Sequence, residues 1–131
     1  RQLANTAHGL AVANLRGSEQ WVELWVQIES AVLPKLHVCT AQELSNLTWA
    51  FAKAAHSAPR LFDAIAIEAT PRLHEFSAQA LDNTAWAYAR SGHMSPALFD
   101  AIVVQAAARL EQISARNLAV LVWAMASADH P

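Results

Sequence analysis

The chain has 131 residues and a mass of 14.2 kDa. It is 54% apolar and only 15% charged, with a formal charge of −2 and a pI near 6.3. That length holds one domain with a sizeable core, and a charge fraction well under the roughly 25% of an average globular protein means that much of the chain must be covered. The balance lacks the basic excess of a typical nucleic-acid binder. The single Cys39 excludes an internal disulfide framework, and Glu68, Arg72, Gln105 and Arg109 break the longest apolar runs, so a soluble protein without membrane insertion is expected.

With 3 glycines, 5 prolines and abundant alanine the composition favours helix. The organising signal is an internal repeat. At an offset of 37, AQELSNLTWAFAKAAHSAPRLFDAIAIEATPRLHEFS (41–77) and AQALDNTAWAYARSGHMSPALFDAIVVQAAARLEQIS (78–114) share 18 of 37 positions. Upstream, Trp25, Ile28, Val32, Leu36 and Thr40 match Phe62, Ile65, Ala69, Leu73 and Ser77 at the same offset. Leu3 and Asn5 match Leu44 and Asn46 only at 41, which puts four extra residues around Arg16 to Trp21. Downstream, Leu118, Trp123 and His130 continue Leu81, Trp86 and His93, and the register stops after half a unit.

Each unit predicts two helices. Thr40, Ser77 and Ser114 stand at N-cap positions, and Thr40 with Glu43 forms a capping box, so helix A starts there and runs about 15 residues to a loop holding His56, His93 or His130. Pro59 and Pro96 suit the first turn of helix B. Phe99, Ile102, Val103, Ala106 and Leu110, like Phe62, Ile65, Ala66, Ala69 and Leu73, follow the i, i+3, i+4, i+7, i+11 spacing of one buried stripe. Pro34 and Pro71 fall in the last turn, which they should kink or shorten. Helix A has apolar residues on more than one face and must be covered on two sides.

Such pairs cannot bury themselves alone. The expected fold is an all-α, right-handed α-solenoid of stacked helix-turn-helix repeats of about 37 residues, with seven helices in one domain over 1–131 (units near 1–40, 41–77, 78–114 and a half unit 115–131). Because both ends cut through units, the chain is expected to be part of a longer array, and a bare end would expose Val122 and Trp123. The expected core is Leu44, Trp49, Phe62, Ile65, Leu73, Leu81, Trp86, Phe99, Ile102, Leu110, Leu118 and Trp123, with Cys39 at the position of Phe76 and Ile113 as a small apolar side chain.

The strings L-S-N-L-T-W-A-F-A (44–52), L-D-N-T-A-W-A-Y-A (81–89) and L-F-D-A-I (61–65 and 98–102) resemble the octotricopeptide and heptatricopeptide repeats of RAP-associated organellar proteins, and the 37-residue length suits the heptatricopeptide form. The resemblance implies a soluble protein of chloroplast or mitochondrion that binds single-stranded RNA in its maturation, stability, translation or ribosome assembly.

Candidate residues carry two readings each. Asn46 and Asn83, with the variable neighbours Ser45 and Asp82, sit near the start of helix A, where a helical repeat can read a base; an Asn bridging to an adjacent loop would recur as well. Lys53 with Arg90, and Lys35 with Arg72 and Arg109, form columns that either follow phosphates or complement helix C-termini. The recurring Trp49, Trp86 and Trp123 either stack on bases or pack between repeats. The recurring His residues, about 8–10 Å apart in stacked helices, are too far apart for one metal and are expected to close the end of helix A. Asp63 and Asp100 suit the first turn of helix B. No nucleophile–base pair, paired carboxylates, phosphate loop or metal spacing occurs, so no catalytic residue, metal, cofactor or small-molecule substrate is expected. The competing expectation is a protein-binding scaffold, a subunit of a larger organellar assembly.

Overall fold

The computed structural model describes Asn5 and residues 19–128 apart from Met94. Among these the chain is helical without strands: α1 (Glu19–Val32), α2 (Ala41–Lys53), α3 (Pro59–Ala69), α4 (Ala78–Ser91), α5 (Pro96–Ala107) and α6 (Ala115–Ala128). Helices α2, α4 and α6 are copies of helix A; α1, α3 and α5 are copies of helix B. Six helices are thus described against seven expected. The first helix A, the start of the insertion at Arg16 and His130 lie outside the described residues.

The caps explain the boundaries. Thr40 accepts from the Glu43 N–H at 3.1 Å and its own N–H donates to the Glu43 carboxylate at 2.9 Å, a complete capping box. That bond holds the Glu43 carboxyl below the usual range. Ser77 and Ser114 accept from the Ala80 and Asn117 N–H groups. At the other end α2 and α4 close alike: the His56 N–H reaches the Phe51 carbonyl and the His93 N–H the Tyr88 carbonyl, both at 3.0 Å, through a left-handed residue. That residue is Gly92 (φ 73°) in one unit and Ala55 (φ 55°) in the other. This is the Schellman closure, in which the residue past the turn packs back on the helix.

The prolines act as expected on helix B. With Pro34 and Pro71 the α-helix stops and continues as 3-10 helix over Leu33–Val38 and Thr70–Glu75. With Ala108 at the equivalent place α5 runs one residue further and the 3-10 stretch shrinks to Leu110–Gln112. A proline lacks the N–H that the α-helix needs and forces the tighter turn.

Helix A packs on helix A: α2 lies against α4, and α4 against α6, with α2 on α4 the most intimate pair. Small residues make the approach possible; Ser45, Thr48, Ala80, Thr84 and Ala87 are all buried. The Ser45 hydroxyl donates across the interface to the Ala80 carbonyl at 3.2 Å. The B helices meet their predecessors indirectly, α3 packing on the Leu33–Val38 stretch and α5 on Thr70–Glu75. The core threads through both types and includes Trp25, Leu44, Phe51, Phe62, Ile65, Leu73, Leu81, Tyr88, Phe99 and Ile102. No described helix is long and apolar enough to cross a membrane.

Candidate nucleic-acid interface

One face of each described A helix stays open to solvent. In α2 it carries Gln42, Asn46, Trp49 and Lys53, spaced i, i+4, i+7, i+11, and in α4 Gln79, Asn83, Trp86 and Arg90; all are exposed or half-buried. The corresponding face of α6 carries Arg116, Val120, Trp123 and Ser127. Trp86, Arg90, Arg116, Ala119, Val120 and Trp123 line one open groove between α4 and α6. Asn46 is oriented within its helix, its Oδ1 accepting from Gln42 Nε2 at 2.9 Å.

Carboxylates are distributed unevenly between the described helices of the two types. The described A helices hold Lys53, Arg90 and Arg116 at the surface and only two carboxylates, Glu43 and Asp82, both buried. The described B helices expose Glu23, Asp63 and Asp100 together with Arg60. A near-neutral chain therefore presents a cationic face with indole rings on one side, which whole-chain charge had hidden.

Among the residues expected to contact RNA, the stripe joins Asn46, Asn83, Lys53 and Arg90. It does not join Ser45 and Asp82, a correction to their expected role: one position before the Asn, the helix turns inward, and both are buried against the next A helix. Asp82 has no hydrogen-bond partner for Oδ1, and burial pushes its carboxyl up to about 6. The other column divides. Lys35 is exposed, but Arg72 donates to the Cys39 carbonyl at 2.7 Å and Arg109 to the Phe76 and Leu73 carbonyls. Each guanidinium thereby ties its unit to the end of the preceding B helix, which leaves fewer donors for phosphates.

The expected core needs two corrections. Leu110 is 52% exposed, because among the described residues no further helix packs on α5 and α6, and Trp123 is 47% exposed, on the open face of α6. Trp49 and Trp86 are half-buried, their inner edges packed on the core. The packing reading of Trp49 and Trp86 thus holds in part: one edge packs and one faces solvent. The sequence reading missed Gln42, Gln79 and Arg116, although helical spacing from Asn46, Asn83 and Trp123 points to all three.

The histidines have a structural place. His93 stacks on Phe62 (centroids 4.7 Å apart, planes 11° apart) with Tyr88 edge-on, and His56 stacks on Trp25 with Phe51 edge-on. Each closes helix A against the preceding B helix, and burial lowers the pKa of His56. The Tyr88 hydroxyl donates to the Phe62 carbonyl at 2.5 Å and completes the cluster. Among the described residues no group of three or more His, Cys, Asp or Glu is placed to hold a metal ion. Cys39 is buried, which raises its thiol pKa and suits the inert packing role expected of it. No family model matches the chain, and no curated protein is significantly similar to it.

Proposed function

We propose that the units stack as a right-handed α-solenoid whose A helices line one continuous face, and that this face binds single-stranded RNA. The observation that carries the reading is the stripe of half-exposed Trp49, Trp86 and Trp123 flanked by Lys53, Arg90 and Arg116, on helices that expose no carboxylate among the described residues. Lys53, Arg90 and Arg116 would neutralise phosphates and release counterions, while the indole faces would take unstacked bases. Asn46 and Asn83 offer donors and acceptors to base edges, one per unit. An organellar setting rests on the resemblance of the L-x-N-x-x-W-A and L-F-D-A-I strings.

The test is the affinity for single-stranded RNA as a function of salt. Binding should weaken with salt, Arg90→Gln should reduce the slope of log K against log salt by about 0.7, and Trp86→Ala should cost about 1–3 kcal/mol. No binding at low salt, or binding indifferent to salt, overturns the reading. A scaffold that binds protein is the second reading, and the uncovered apolar side of α5 and α6 favours it.

A further inference from the structure

A pocket of about 200 Å³ lies between the loops that close α2 and α4, and its walls come from the described residues of two adjacent units. Phe51 and Phe62, both buried, form its floor; His56, Ser57, Arg90, Ser91 and His93 surround it. Among the described residues no carboxylate lines it. The loops are held in place by their own bonds. The His56 and His93 N–H groups close on the Phe51 and Tyr88 carbonyls, and both imidazoles pack on aromatic rings of the preceding B helix. The Ala50, Ala52 and Ala89 carbonyls also accept at these closures, which mutes the negative ends of α2 and α4.

The polar side chains of the pocket have no internal task. Arg90, Ser57, Ser91 and the two imidazoles make no hydrogen bond or ion pair among the described residues, whereas Arg72 and Arg109 are tied to backbone carbonyls. A guanidinium with hydroxyl and imidazole N–H donors, and no carboxylate beside them, matches an oxyanion. We propose that this pocket binds the phosphate group of a phosphate ester. Arg90 supplies the cation, Ser57, Ser91, His56 and His93 donate to the oxygens, and the phenylalanine floor carries the ester carbon. The pocket meets the proposed RNA face at Arg90, which also lines the groove with Trp86 and Trp123. The ester is therefore either a nucleotide of a strand lying on that face or a separate small phosphorylated molecule.

The probe is inorganic phosphate, titrated into the whole protein at fixed pH and ionic strength while the imidazole signals are followed by NMR. His56 and His93 should shift saturably, and the exposed His37 and His74 should not. Ser57→Asp and Arg90→Gln should each weaken binding about tenfold or more, the first by setting a carboxylate against the phosphate and the second by removing a charge-assisted donor. Both residues are exposed, so neither variant disturbs the core. Absence of a saturable shift, equal shifts at His37 and His74, equal shifts with chloride in place of phosphate, or binding that Ser57→Asp leaves unchanged overturns the proposal. Adding single-stranded RNA then identifies the source: displacement of phosphate assigns the ester to the strand, and simultaneous binding assigns it to a small phosphorylated molecule. Salt-dependent RNA binding without phosphate binding overturns this proposal alone, and phosphate binding without RNA binding overturns only the RNA reading.

Discussion

In α4 the side chains of Leu81, Ala85 and Tyr88 are almost fully buried; at the same repeat positions in α6, Leu118 and Met125 are half-buried and Val122 is 61% exposed. Helix B repeats the contrast, with Leu73 2% exposed and Leu110 52% exposed. The two helix pairs share one pattern and the same serine N-cap on helix A, so the difference arises from the neighbour that each meets. A residue here is buried by the following unit, so a core position read from periodicity is covered in α4 and open in α6. The interior unit measures what a filled groove contributes, and the α5–α6 pair shows the same groove open.

The sharpest way to break this comparison is a matched pair of substitutions. Leu73→Ala should cost about 2–5 kcal/mol in chemical unfolding, whereas Leu110→Ala should stay within about 0.5 kcal/mol. Similar losses at both would mean that the two places are not as different as their burial. The arginine ties come next. Arg109→Ala leaves the Phe76 and Leu73 carbonyls without their cation and should cost about 1.5–3 kcal/mol, while Lys35→Ala at the same repeat position should be close to neutral.

The A-helix interface offers a contrast that depends on pH. Ser45 donates to the Ala80 carbonyl, but Asp82, in the same place one unit later, is buried with an orphaned oxygen and a carboxyl raised to about 6. Its unfolded value is about 3.9, so the folded state binds more protons between the two. Stability should rise as pH falls through 6 and be lost as pH climbs above it. Asp82→Ser should therefore stabilise the protein at pH 8, with the gain shrinking below pH 6 in thermal melts. The smallest effect belongs to the helix closures. Ala55 holds the left-handed conformation that Gly92 adopts without strain, so Ala55→Gly should stabilise by about 0.5–1 kcal/mol, and Gly92→Ala should destabilise by a similar amount.

Helix boundaries were legible in the sequence because they are local: Thr40 with Glu43, Ser77, Ser114, Pro59 and Pro96 act within one turn. The Trp, Asn and Lys or Arg positions of the stripe were legible through helical spacing. The burial of Asp82 and Ser45 was not, since one residue of rotation separates an outward Asn from an inward neighbour, and the facing helix decides which is covered. The tie from Arg109 to Phe76 was equally hidden, because the column reads the same whether its partner is a phosphate or a carbonyl.

Native-state hydrogen exchange tests the central claim most directly, since it reads each helix in its own surroundings without a substitution. Amides of α4 should exchange only by global unfolding, and those of α6 through smaller local openings with markedly lower protection. Equal protection in the two helices would contradict the account, because it would place the stability of each unit within the unit itself.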